Sequence, residues 1–438
     1  MKKSLIFLLC ISMSLPTIMA KKKASFMSSL SKIPGVTSVR QIQSEKFKER
    51  YILTFRQYID HNDTSLGTFS QRIIVGNVNE DSTTVVVTEG YSAAYTEKPS
   101  YREELSSILN ANSVIIEHRY FNESVPDIKD RESYWEHLTT YNAATDHHRI
   151  VEAFKTIYKG KFIATGVSKG GICANLYRMY YPKDVDITVP YVAPLCNGVE
   201  DKRMAIMVGN YAKKGKRQDE GMMMRNFMEY LFQNRNQYLK LLDNYISENN
   251  LECRISLEEL FDLTVLDMRV ALLARGEVKR IPEWDKAPID SIFKFVAKYG
   301  SPEGFTPTYD NMPYYVQAAR ELGHYAYDDN EFGNLLSIKS TTDYLRRTAL
   351  PDEMQCKYDP ETHHRAMDFL NSTDAHMLFI YGEYDPWTSV GIKDLVNNPN
   401  IYIFINPGNC HRSKINNFPK EMKEKIIDIL HSWLREKQ

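Results

Sequence analysis

Beyond its first twenty residues the chain has no apolar run long enough to span a bilayer, so nothing in that remainder calls for a membrane-embedded fold. It has no surplus of one charge either. Lysine plus arginine number 55 against 56 aspartate plus glutamate, a formal net charge of −1, which removes the electrostatic footprint of a nucleic-acid or anionic-membrane binder. Cysteine is scarce, six in 438 residues, without the paired spacings that hold zinc and too few for a small disulfide scaffold. Internal repeats, low-complexity tracts and long linkers are missing as well. What is left is an ordinary globular composition at a length that suits one large domain carrying an insertion. The 28 tyrosines are the compositional surplus. Aromatics with a polar tip line peptide and sugar clefts, although half-buried packing accounts for most tyrosines in any fold.

At the start, Lys2 and Lys3 precede an apolar run that ends at Ile18-Met19-Ala20, with a small residue where a signal peptidase would cut. This predicts a signal peptide over residues 1–20 and an exported protein, periplasmic or extracellular, with no membrane contact after cleavage. Ser12, Ser14 and Pro16 interrupt the run and make it a poor anchor. Cys10 does not read as a lipidation site, because the apolar stretch before it is short and Leu9 is an unsuitable neighbour. Cleavage leaves Cys173, Cys196, Cys253, Cys356 and Cys410. That odd number requires at least one thiol that is free or paired between chains, and the spacing does not choose partners for any bridge.

Strand and helix signals then alternate. Tyr51–Phe55 and Gln71–Val75 are β-prone and flank a turn-rich stretch. Thr84–Thr88 and Ser113–Ile116 are short continuous apolar runs, as in strands covered on both faces. Helical spacing between them covers Tyr101–Asn110, and again Asp146–Tyr158, followed by a strand at Lys161–Thr165. From Met204 to Leu345 the pattern becomes helical, clearest over Met222–Tyr245, Leu257–Leu273 and Ile292–Tyr299. Strands resume at Met377–Tyr381 and Ile401–Ile405, and Lys420–Arg435 is an amphipathic closing helix. The expected organisation is an α/β catalytic domain over residues 21–203 and 346–438, interrupted by a helical cap over 204–345.

The chemistry sits at the strand ends. Gly166-Val167-Ser168-Lys169-Gly170 follows a strand and opens a helix, the setting of a nucleophile elbow, where a serine on a strained turn needs small neighbours. The backbone N–H of Lys169 then points into an oxyanion site, and the Glu89-Gly90-Tyr91 loop offers the Tyr91 N–H as second donor. After the Met377–Tyr381 strand, Asp385 is the expected acid, with Glu383 and Asp374 as competing carboxylates. His411, in the loop after the last strand, is the expected base. The order Ser, Asp, His is that of the α/β-hydrolase fold, here with a cap inserted between nucleophile and acid. The doublets His147-His148 and His363-His364 do not form a metal site on spacing, since adjacent residues point apart. No metal and no other cofactor is required by this chemistry.

These segments together resemble the secreted bacterial prolyl tripeptidyl aminopeptidases, serine peptidase family thirty-seven, and more distantly the lysosomal prolyl carboxypeptidase and dipeptidyl peptidase group. The resemblance runs through Asp60-His61, Phe69-Ser70-Gln71-Arg72, Thr88-Glu89-Gly90-Tyr91, Glu117-His118-Arg119-Tyr120-Phe121, Gly166 to Gly171, Tyr191-Val192-Ala193-Pro194 and the segments around Asp385 and His411. Lys169 after the serine points to the tripeptidyl family, because the lysosomal group more often carries tyrosine there. The resemblance implies a serine exopeptidase that removes short peptides from a free N-terminus, often after proline, by an acyl-enzyme mechanism. Such an enzyme needs a carboxylate for the substrate ammonium. Glu89, Glu117, Glu200 and Asp201 are candidates by position, and Trp387 is a candidate wall for a proline ring. Two alternatives share the scaffold: a carboxylesterase or lipase, which calls for a more apolar cap than one carrying Arg217, Asp219 and Glu220, and a non-catalytic binding protein, which typically lacks a triad member.

Overall fold

The computed structural model describes residues 25–211, 217–354, 357–393 and 396–436; the expected signal peptide lies outside them. Nine strands form one sheet: β1 (Val36–Gln41), β2 (Glu49–Tyr58), β3 (Thr68–Asn77), β4 (Thr84–Thr88), β5 (Asn112–Ile116), β6 (Phe162–Val167), β7 (Ile187–Tyr191), β8 (His376–Gly382) and β9 (Ile401–Asn406). Their spatial order is β1-β2-β3-β5-β4-β6-β7-β8-β9. The first three strands form an antiparallel meander, with Leu53 opposite Ile73. β3 joins β5 antiparallel, and every pair from β5 to β9 is parallel. Each residue of β4 and β5 is buried, which is why those strands read as unbroken apolar runs. Val85 and Val87 pack into one side of the sheet and Val86 into the other, as the two-residue period of a strand requires.

The helices before the insertion are α1 (Phe26–Leu30), α2 (Glu104–Ile108), α3 (Thr140–Phe154) and α4 (Lys169–Tyr180). Between β7 and β8 run α5 (Lys202–Asn210), α6 (Gln218–Gln233), α7 (Arg235–Glu248), α8 (Leu257–Arg275), α9 (Ile289–Gly300), α10 (Met312–Gln317), α11 (Tyr344–Thr348) and α12 (Glu361–Ser372); α13 (Lys420–Arg435) closes the chain. This is the α/β-hydrolase fold, with a helical section entering after β7. Residues of α5 to α11 share one hydrophobic cluster, centred on α8. The chain rejoins the sheet through α12, whose Leu370 packs with Leu176 of α4 and Phe379 of β8. No helix among the described residues is long and apolar enough to cross a membrane.

Several sequence expectations shift in detail. The helix expected over Tyr101–Asn110 shrinks to α2, because the Glu103 side chain caps it by accepting from the Leu105 and Ser106 N–H groups. The helix expected from Asp146 begins at Thr140, capped by the Thr139 hydroxyl. The single periodicity over Met222–Tyr245 is two helices that meet at Asn234, whose side-chain amide donates to the Tyr230 carbonyl. Cys173, Cys196, Cys253 and Cys410 are free thiols; Cys356 lies outside the described residues.

Candidate active site

At the end of β6, Ser168 adopts φ 55° and ψ −120°, a conformation that costs an L-residue energy and is characteristic of a strained turn. Its neighbours let the chain bend there. A Cβ on Gly166 would sit 2.2 Å from the Gly170 carbonyl oxygen, and one on Gly170 would sit 2.6 Å from that of Thr88. The Thr88 hydroxyl ties the turn to the sheet, donating to the carbonyls of Thr165 (3.1 Å) and Gly170 (2.9 Å). The Ser168 N–H donates to the Tyr191 carbonyl across β7 at 2.9 Å.

Asp385 and His411 leave the same edge of the sheet, after β8 and β9. Asp385 is fully buried. Its Oδ2 meets His411 Nδ1 at 2.7 Å, and its Oδ1 accepts the Trp387 N–H at 3.1 Å. The loop carrying His411 is fixed from two sides. The Cys410 carbonyl packs on Gly382, where a Cβ would lie 2.3 Å away, and the His411 N–H donates to the Ala274 carbonyl at the end of α8 at 2.9 Å. Of the competing carboxylates, Glu383 is exposed and accepts the Gly408 N–H at 2.6 Å. Among the described residues only Asp385 reaches the imidazole of that loop.

The two expected oxyanion donors lie together. Lys169 is the first residue of α4, so its N–H has no acceptor within the helix. Its side chain is 1% exposed, runs over the rings of Tyr91 and Phe121, and donates through Nζ to the Gly90 carbonyl at 2.6 Å. This bond fastens the Gly90-Tyr91 loop to the elbow. Burial pushes the Lys169 pKa down to about 8. An unfolded chain holds that proton up to roughly pH 10.4, so between those values folding releases a proton and stability rises with pH. Lys169→Met is expected to fold, to lack that rise when denaturant titrations at pH 7 and pH 9.5 are compared, and to lower kcat by about 10- to 100-fold as the Gly90-Tyr91 loop, the expected oxyanion donor, loosens. Unchanged kcat would remove the fastening role.

The carboxylates proposed from sequence separate into different roles. Glu117 is fully buried and accepts from the Ala93 and Glu123 N–H groups, the Ser92 and Ser124 hydroxyls and the Asn122 amide, beside Arg72. Asp201 caps α5 and is forked by Arg203. Both are consumed by the fold, and their expected part in ammonium binding gives way to a structural one. Glu200 accepts the Asp343 N–H. Glu89 accepts the Tyr95 hydroxyl at 2.6 Å beside a cavity of about 240 Å³, and burial pushes its pKa up to about 7. A carboxyl half-neutral near pH 7 is a weak partner for an ammonium.

Trp387 is half-buried, with its ring 6.1 Å from that of His411 and 5.2 Å from that of Tyr325. The Tyr91 ring meets Tyr314 at 5.9 Å, and Tyr314 and Tyr315 both meet His324. Tyrosines of the helical section therefore face the strand ends. His118 Nδ1 lies 2.7 Å from the Arg119 carbonyl, and burial holds its pKa well below the usual histidine range. The doublets lead elsewhere: His363 contacts the Cys196 carbonyl, and His148, Glu152 and Asp184 gather with ligand atoms within 4.8 Å of one another on α3 and the loop after α4, a grouping that adjacent-residue spacing did not reveal.

The model of the family described as PS-10 peptidase S37 matches residues 20–434. Over 414 residues the chain is 28% identical to the prolyl tri/tetrapeptidyl aminopeptidase of Streptomyces mobaraensis, covering 92% of this chain and 83% of that protein. Over 180 residues it is 29% identical to the lysosomal Pro-X carboxypeptidase of Bos taurus, 38% of this chain and 36% of that one. Among solved structures, the proline iminopeptidase of Mycobacterium smegmatis overlaps 91% of this chain and 99% of its own at 12% identity and a TM-score of 0.40.

Proposed function

The chain belongs to the peptidase S37 family and is a serine peptidase on the α/β-hydrolase fold; from that premise we propose that Ser168, His411 and Asp385 are its catalytic triad, and that it releases tripeptides from free N-termini, preferring proline at the cut bond. The observation that carries the reading is the buried Asp385 held on His411 Nδ1 at 2.7 Å, on the sheet edge where Ser168 occupies its strained turn. His411 Nε2 takes the proton of Ser168 as its oxygen attacks the carbonyl carbon. Asp385 stabilises the imidazolium, and the N–H groups of Tyr91 and Lys169 receive the oxyanion. The imidazolium returns the proton to the leaving amine, and water activated by His411 releases the acyl enzyme. Trp387, beside His411, is suited to wall the proline ring. The helical section from 204 to 345 acts as a cap over the strand ends and excludes long chains from one side. Export by the N-terminal signal, to periplasm or medium, fits a scavenger of peptides.

The test is paired hydrolysis of Ala-Ala-Pro-p-nitroanilide with a free and with an acetylated N-terminus. A preference for the free form of at least about 100-fold is expected, the loss that accompanies removal of one partner from a desolvated charge pair. Equal rates would remove the aminopeptidase assignment, and turnover of simple esters alone would move the protein to the esterase reading.

A further inference from the structure

Helix α8 is buried along most of its length, yet its middle turns carry three charged side chains, Asp262, Asp267 and Arg269. Two are neutralised. Asp262 accepts from Arg235 at 3.0 Å, and Arg269 pairs with Glu331. Asp267 is paired with no cation among the described residues. Its Oδ1 accepts the hydroxyls of Tyr325 (2.5 Å) and Tyr327 (2.9 Å), and its Oδ2 accepts from no described residue. Asp267 is half-buried, and a partly desolvated carboxylate without a cation is retained at a cost. Burial pushes its pKa up to about 6, so it is ionised at neutral pH.

The same helix holds His411, through the Ala274 carbonyl. Asp267 precedes Ala274 by seven residues, which is two turns, about 10 Å along the axis and nearly the same face. An extended tripeptide spans about 10 Å from its ammonium to its scissile carbonyl. The path between is aromatic: the Trp387 ring lies beside those of His411 and Tyr325, and Tyr325 bonds Asp267. We propose that Asp267 Oδ2 receives the substrate's N-terminal ammonium, that Tyr325 and Trp387 flank the peptide between the two ends, and that the two turns of α8 from Asp267 to Ala274 set the length released. This rests on the aminopeptidase reading above. The two tyrosine hydroxyls orient the carboxylate, and the ring faces add their own attraction for a cation.

The experiment compares wild type, Asp267→Asn and Asp267→Glu on Ala-Ala-Pro-p-nitroanilide and on propionyl-Ala-Pro-p-nitroanilide, which lacks only the amine. Active sites are counted by fluorophosphonate labelling of Ser168. Asp267→Asn is expected to lose about 100-fold in kcat/KM on the free amine, chiefly through KM, and to keep wild-type kcat/KM on the propionyl peptide within a few-fold. Asp267→Glu keeps the charge and is expected to keep the preference for the amine, which holds the test open should the Asn variant fail to fold. Equal losses on both peptides would make Asp267 structural and overturn the inference, as would an Asn variant that retains wild-type preference. A wild type without preference for the amine overturns the aminopeptidase reading and this inference with it, a result distinct from either.

Discussion

Ser168→Ala is expected to lower kcat by about a million-fold while leaving the fold intact. The size follows from what the hydroxyl does: without it no acyl enzyme forms, and only the oxyanion donors and binding remain, together worth about a thousand- to ten-thousand-fold over water. The fold should survive because the turn is held by the Ser168 N–H to the Tyr191 carbonyl and by Thr88, bonds that do not involve the side chain. Alanine meets the same positive φ of 55° at about the same cost as serine. Removing His411 as well should cost almost nothing further, since in the proposed mechanism the two act as one unit. Single-turnover kinetics with Ala-Ala-Pro-p-nitroanilide, alongside thermal unfolding, provide the check. Residual activity above about a thousandth of wild type would mean that another nucleophile carries the reaction.

The part of this arrangement legible in the sequence is the part encoded locally. Thr84–Thr88, Ile401–Ile405 and the helix over Lys420–Arg435 fall where periodicity put them, and so does the elbow, because strain at Ser168 demands Gly166 and Gly170 within two residues of it. Asp385 and His411 stood out as candidates because each follows its own strand. Asp385 was not separable from Glu383 by spacing; burial and the 2.7 Å contact separate them. β1 and β7 carry no clear strand signal. β1 alternates weakly (Val-Thr-Ser-Val-Arg-Gln), and β7 carries a proline, Pro190, that reads as a strand breaker.

The ammonium candidates illustrate the opposite case. Glu117 and Asp201 looked available because they follow strands, yet both are saturated by backbone and arginine donors that sequence does not bring into view. Asp267 drew no attention because it lies in Leu263-Thr264-Val265-Leu266-Asp267-Met268, a run that reads as helix core. An acid within an otherwise apolar helical stretch was the available signal. Its significance depends on which of the three charges in the middle turns of α8 lacks a partner, and partners come from Arg235 and Glu331, both distant in sequence.

The second large effect belongs to Asp385→Asn, expected to lower kcat by about ten-thousand-fold with little change in KM. The hydrogen bonds of this site give the mechanism. Asp385 accepts twice, from the Trp387 N–H at Oδ1 and from His411 at Oδ2. Asparagine has one accepting oxygen. If that oxygen keeps the Trp387 N–H, the amide nitrogen faces His411 Nδ1 and donates to it, forcing the proton onto Nε2, the nitrogen that takes the proton of Ser168 in the proposed mechanism. If the amide flips instead, its nitrogen opposes the Trp387 N–H in a fully buried position, donor against donor. The first arrangement is the lower in energy, so the variant folds with a base in the wrong tautomer. Glu383→Gln is the matched control. Glu383 is exposed and, among the described residues, its side chain accepts only the Gly408 N–H, a bond that glutamine retains, so its kcat should stay within a few-fold of wild type. Imidazole nitrogen shifts measured by NMR would place the proton on Nε2 in Asp385→Asn. A variant with wild-type kcat, or one in which Glu383→Gln carried the larger loss, would give the acid's role to Glu383.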